Sequence, residues 1–247
     1  ESECEPSSIL LAKIAAYRMS GRHQFALPLA EQAVGQLPDD SDAWRNLAGL
    51  RLHLGRNETA RKAFRQAIKL DATNGLAWQG LAWADFHCDE LSAAIESANQ
   101  AIKLRPMDEI VWTTHAKFVA AKGDYRAAAA DYRRALGLRP DSPHVAYPAI
   151  VTLALWDRGS QCDLDLCRQT IAQQSRHWPP ALVHELSAIV CFSADQFDEA
   201  IASIERLREI RPRVSPTTQL IELLARWQHA YSTTGEANSE HGRLQSW

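Results

Sequence analysis

The sequence predicts an all-α solenoid of about six helix-turn-helix units closed by one further helix. Three observations carry this. Ala43-Trp44-Arg45-Asn46-Leu47-Ala48 returns 34 residues later as Ala77-Trp78-Gln79-Gly80-Leu81-Ala82, and Val111-Trp112 follows after another 34. Within each unit the apolar residues recur at helical spacing, not at the alternation of a strand. Glycine and proline punctuate fixed places: Gly55 and Gly123 in mid-unit, and Pro38, Pro106 and Pro140 at unit ends. A period of this length is the signature of stacked helical hairpins, none of which can bury its apolar faces alone.

The units follow in order. In 7–40, Tyr17 and Gly21 fit a first helix and its turn, and Ala26, Ala30 and Ala33 lead to Pro38. In 41–74, Trp44, Leu47, Ala48 and Arg51 form one helical stripe, and Ala60, Phe64, Ala67, Ile68 and Leu70 form the next. Units 75–108 and 109–142 repeat the second stripe as Ala94, Ala98, Ala101, Leu104 and as Ala128, Tyr132, Ala135, Leu138. Glycine allows the tight reversal between helices, and the closing proline stops the second helix. The fifth unit, 143–180, is 38 residues long and matches least, with Pro148 inside its expected first helix and an insertion somewhere in Cys162–Trp178. The sixth, 181–214, recovers: Asp195 to Ala200 matches Gly123 to Ala128, and Pro212 closes it. A last helix over 215–231 carries Leu220, Leu223, Leu224 and Trp227 on one stripe, the face expected to cover the last unit. Residues 1–6 and 232–247 are polar and are expected to be flexible or disordered.

The succession of Trp, Leu and a small residue, a Gly turn, Ala, an aromatic ring, Ala and Pro resembles the tetratricopeptide repeat family. The resemblance implies a right-handed superhelix whose concave side is lined by the first helix of each unit. It also implies a structural role for Trp44, Trp78 and Trp112.

On that register the inner stripe reads Arg45 and Leu52, then Leu76, Gln79, Trp83 and Phe86, then Ile110, Thr113 and Lys117, then Tyr147, then Glu185 and Phe192. It is apolar for a wetted surface, and such patches mark binding sites. The expected ligand is a partner protein's extended peptide or amphipathic helix. Arg45, Lys117 and Glu185 would orient it, and Gln79 and Thr113 would hydrogen-bond its backbone. The alternative is that Trp83 and Phe86 pack between helices or against the chain's own termini. One branch of the family grips carboxyl-terminal peptides with a Lys and an Asn four residues apart. The corresponding pairs here, Arg45/Gly49, Gln79/Trp83 and Thr113/Lys117, do not fit it.

Composition narrows the function. The chain has 247 residues, 27 Lys and Arg against 30 Asp and Glu, and a net charge of −3. Without a basic excess, nucleic acid is disfavoured as the main partner. No apolar run approaches the ~20 residues that span a bilayer. There is no phosphate-cradling glycine loop, nucleophile elbow or zinc-protease motif, so neither an enzyme nor a cofactor is expected. His87-Cys88-Asp89-Glu90 lies in a turn with too few ligands for a metal, and Cys162 and Cys167 lack a second pair at zinc spacing. A disulfide from Cys162 or Cys167 to Cys191 would staple the fifth unit; free thiols are the alternative. Asn57-Glu58-Thr59 has the form of a glycosylation acceptor, which matters only in a eukaryotic secretory protein.

The leading expectation is therefore a non-catalytic protein-binding scaffold. The first residue is Glu1, and with the cysteines this favours an exported, envelope-associated bacterial protein over a cytoplasmic one. Similar-sized members act in secretion and pilus assembly, and in that setting Cys4 would lie near a lipid anchor. Two other readings stand beside it: a recruiting arm of a larger enzyme such as a glycosyl- or sulfo-transferase, and a self-assembling oligomer.

Overall fold

A computed structural model describes residues 7–156 and 160–234. Among these there are thirteen α-helices and no strand. The all-α repeat class expected from the period is the one observed. The chain divides into two compact units, one ending at Asp131 and the other starting at Tyr132.

The first unit holds α1 (Ser7–Met19), α2 (His23–Gln36), α3 (Ser41–His53), α4 (Asn57–Leu70), α5 (Gly75–His87), α6 (Leu91–Leu104), α7 (Glu109–Ala121) and the start of α8 (Tyr125–Leu138). Local chemistry sets the ends of these helices. Asp40, Asn74 and Asp108 stand 34 residues apart, and each caps a first helix by accepting a backbone N–H from its first turn. The hairpin turns carry Gly21, Gly55, Asp89 and Gly123 at positive φ, again at one period. Asp89 fills a slot where the sequence offers no glycine, and Asp is among the residues that tolerate this conformation.

Each first helix is buried on two sides. In α5, Ala77, Leu81 and Ala84 join Phe64 and Ala67 of the preceding α4. Ala82 joins Ala94 and Ala98 of the following α6. Gly80 serves close approach: a Cβ there would collide with the ring of Phe64. The repeated tryptophans pack at the hairpin base, and their indole N–H groups donate to carbonyls six residues earlier: Trp44 to Pro38 (2.8 Å), Trp78 to Ala72 (2.9 Å) and Trp112 to Pro106 (2.9 Å). A ring that is only partly buried thus keeps its polar edge satisfied and ties the loop to the helix.

The second unit holds the rest of α8, α9 (Pro143–Leu155), α10 (Gln161–Gln174), α11 (Pro180–Ser193), α12 (Phe197–Ile210) and α13 (Pro216–Thr234). The fifth hairpin is built despite its poor match. α9 continues past Pro148 without ending there. α9, α10 and α11 keep the 13 or 14 residues of the other paired helices, so none of them is lengthened by the extra residues. The tryptophan slot of this hairpin holds Ala146, and Trp178, beyond the end of α10, supplies the ring instead. It is 4% exposed and donates to the carbonyl of Asp141 at 2.9 Å. Arg133 forks onto Asp163 through Nε (2.5 Å) and Nη2 (2.7 Å), fixing α10 to α8.

Three expectations are corrected. Cys88, Cys162, Cys167 and Cys191 are free thiols, so neither Cys162 nor Cys167 bridges to Cys191. Cys167 is buried, and burial pushes its thiol up to about 12, leaving it protonated and inert. α13 does not bury its Leu220, Leu223, Leu224, Trp227 stripe, whose members are 40–67% exposed. It buries Thr218, Ile221, Glu222 and Ala225 instead. The last helix does not stop at Tyr231 as expected: α13 continues to Thr234. The expectations for residues 1–6, including Cys4, and for residues 235–247 lie outside the described residues.

Candidate functional site

The accessible stripe of the first unit lies on α3, α5 and α7. Leu76 and Ile110 are exposed apolar residues near the starts of α5 and α7. Next along α5 stands an aromatic island. Trp83 meets the fully buried Phe118 of α7 edge-on, centroids 5.0 Å apart, and Phe86 stacks on Phe118 at 4.8 Å. Trp83 and Phe86 are perpendicular to each other at 6.1 Å. The exposed ammonium of Lys117 sits over the Trp83 ring, 5.6 Å from its centroid. Trp83 and Phe86 are therefore half-buried: they help seat α7 on α5 while part of each ring stays accessible. Of the two readings taken from the sequence, the packing of Trp83 and Phe86 between helices is the one these contacts display.

The remaining stripe residues divide. Arg45 is half-buried and pairs with Asp42 at 2.9 Å, and its guanidinium holds that carboxyl below the usual range. Leu52 packs against the cluster around Phe64. Gln79 donates to Thr114 Oγ1 at 3.4 Å. Thr113 is 7% exposed and its hydroxyl donates to the Glu109 carbonyl at 2.8 Å, so it cannot serve a partner's backbone as expected.

The second unit places its residues differently. Glu185 accepts from Ser215 Oγ (2.8 Å) and Thr218 Oγ1 (3.0 Å), pinning the first turn of α13 instead of waiting for a ligand. Tyr147 is half-buried, and burial first, then the adjacent Glu185 carboxylate, raises its phenol. Phe192 sits edge-on to Phe197 at 5.9 Å.

Sequence reasoning missed the register of α13. Ser215 caps it by accepting the N–H of Thr218, as Asn74 accepts that of Ala77. That sets Thr218, Glu222 and Ala225 in the slots of Ala77, Leu81 and Ala84. Leu220, Leu224 and Trp227 then occupy the slots of Gln79, Trp83 and Phe86. The missed signal was the cap serine, one residue further on than the period predicts.

Among the described residues no group of three or more His, Cys, Asp or Glu could hold a metal ion, and no helix is long and apolar enough to cross a membrane. Buried carboxyls are held by ion pairs in both units, and Asp85 is the one beside the aromatic island. Asp85 lies 3.9 and 3.8 Å from Arg61 and Arg65 and accepts from Ser97 at 3.2 Å. Its burial raises the carboxyl, and Ser97 and the two arginines work against that rise. It stands between α5, α4 and α6 as an interhelical tie.

Sequence profiles of the tetratricopeptide repeat match residues 11–75, 50–109 and 111–142, together more than half of the chain. The chain belongs to the tetratricopeptide repeat family. No curated protein sequence matches it. Solved structures share the fold at low identity. The structure of Pseudomonas aeruginosa PilF has a TM-score of 0.70 at 16% identity, covering 90% of this chain and 97% of that one. PilW, described as a widely conserved type IV pilus biogenesis factor, has a TM-score of 0.69 at 18% identity, covering 87% and 97%. YrrB, described as having an unusual peptide-binding site, has a TM-score of 0.62 at 15% identity, covering 80% and 97%.

Proposed function

We propose that this chain is a non-catalytic scaffold that takes a partner's peptide or amphipathic helix along α3, α5 and α7, within a bacterial secretion, pilus or envelope-assembly system, a setting supported by the fold it shares with PilW, a type IV pilus biogenesis factor. One observation carries the reading. Lys117, Trp83 and Phe86 form an accessible cation-capped aromatic island, with exposed Leu76 and Ile110 beside it on the same stripe. Aromatic anchors dominate interface energetics, and a flanking cation selects sequences with acidic residues next to apolar ones. The repeat itself supports a binding role, because stacked hairpins present extended surfaces and no closed pocket.

Panning a displayed random-peptide library against the full chain tests this. The expected product is a set of apolar-acidic peptides whose binding falls at least ~10-fold in Ile110→Lys and in Lys117→Glu, consistent with loss of about 1.4 kcal/mol or more. Both side chains are exposed, so melting should barely change. Failure to enrich any peptide, or enrichment of peptides indifferent to both substitutions, would contradict it.

A further inference from the structure

One slot at the junction of successive hairpins changes its chemistry along the first unit. It pairs the first residue of a second helix with the last residue of the following first helix. Between α4 and α5 the slot holds Asn57 and His87, joined by Asn57 Nδ2 donating to the His87 carbonyl at 3.2 Å. Between α6 and α7 the residues one period on are Leu91 and Ala121. Between α2 and α3 they are His23 and His53, whose rings lie parallel within 5° with centroids 4.5 Å apart. Of these three junctions, the first alone sets two titratable side chains against each other.

The surroundings of the pair suit neutral rings. His23 Nδ1 is buried without a hydrogen-bond partner, so a proton on it would be a donor with no acceptor. The neighbouring charges are mostly cationic. α1 contributes Lys13, Tyr17 and Arg18 but no carboxylate. Arg22 and Arg56 are the N-cap residues of α2 and α4, and Arg51 shares the last turn of α3 with His53. The carboxylates that α2, α3 and α4 carry are already engaged: Glu31 by Arg51 (3.2 Å), Asp42 by Arg45 (2.9 Å) and Glu58 by Arg61 (3.2 Å). Burial, then His23, then Arg18 lower the imidazole of His53.

We propose that His23 and His53 form a proton-operated latch: as neutral stacked rings they hold the first hairpin, α1 and α2, against α3, and as a pair of imidazolium ions they push it away. Two like charges this close repel strongly across a partly buried boundary. The loosened hairpin binds protons more readily than the latched one. The latch is therefore at full strength above the free histidine value of about 6.5 and weakens as the pH falls below it. Acid then uncovers the side of α3 on which Leu47 and Leu50 pack with Leu10, Ile14 and Leu27. The latch works at the boundary of the first two hairpins and stands whether or not the α3, α5, α7 stripe binds peptide.

Hydrogen exchange of the full chain between about pH 7.5 and about pH 5.5, corrected for the intrinsic rate at each pH, tests the latch in a range where ordinary carboxylates stay ionised. Protection of α1 and α2 should fall about 10-fold or more on acidification, while α5 and α6 hold theirs. His53→Gln and His23→Gln each leave a single imidazole and remove the like-charge pair, so each should abolish the loss. If one variant does not fold, the other decides the point alone. Wild-type protection that ignores pH, a loss spread evenly over the first unit, or a loss that persists in a folded variant overturns the proposal.

Discussion

The third hairpin, α5 and α6, and the fifth, α9 and α10, solve one packing problem with different residues. In α5 the large ring comes from the helix itself: Trp78 reaches back to the Ala72 carbonyl and ties the entry loop down. In α9 that slot has shrunk to Ala146, and Trp178 arrives from the other end of the hairpin to donate to the Asp141 carbonyl. What persists is a ring at the hairpin base with its N–H spent on a loop carbonyl. The sequence position that delivers the ring is free to move. The two rings differ in depth, Trp178 being 4% exposed and Trp78 half-buried.

That difference sets the largest expected effect. Trp178→Ala should destabilise the chain by roughly 3–5 kcal/mol, the range for truncating a buried aromatic. Trp78→Ala should cost less, because part of its ring is already in water. Thermal melts of the two variants would check the order; equal losses, or a larger loss at Trp78, would break the comparison.

A smaller effect separates the hairpins electrostatically. The third is tied by a buried carboxyl, Asp85, that burial raises, and the fifth by Asp163, which the Arg133 fork pulls down. A carboxyl lowered in the folded state stabilises above its unfolded value of about 3.9 and loses that contribution as the pH falls through its folded value. Asp163→Asn should therefore cost about 1.5–3 kcal/mol at neutral pH, toward the lower figure because Arg133 is 45% exposed. The gap to wild type should close in acid-unfolding curves below about pH 4. A gap that stays constant with pH would show that the charge is not what matters.

The smallest effect isolates the indole N–H. Trp178→Phe keeps most of the ring and removes the bond to Asp141, for an expected loss of about 1–2 kcal/mol. Chemical denaturation would resolve it, and a loss as large as that of Trp178→Ala would mean that shape and not the hydrogen bond governs the slot.

The same contrast explains what was legible in the sequence. Trp44, Trp78 and Trp112 were readable because slot and sequence position coincide, and so were the hairpins built on them. Trp178 was not, since only three-dimensional packing reveals which ring fills a slot that its own helix leaves empty. The α13 stripe misled for a related reason. Four apolar residues at helical spacing announce an amphipathic helix, but not which side the array covers, and a one-residue shift of the cap turned that side outward. Of the candidate site, Leu76, Ile110 and Lys117 could be placed from the period alone. The half-burial of Trp83 and Phe86 depends on Phe118, which belongs to the next repeat. Thr113 and Glu185 were lost to local hydrogen bonds that no pattern of residue types displays.

Hydrogen exchange of the full chain with and without a selected apolar-acidic peptide tests the binding account most directly. Protection concentrated in Ser41–His53, Gly75–His87 and Glu109–Ala121, with α4 and α6 unchanged, is the predicted footprint. Protection confined to α4 and α6, or to the second unit, would contradict it.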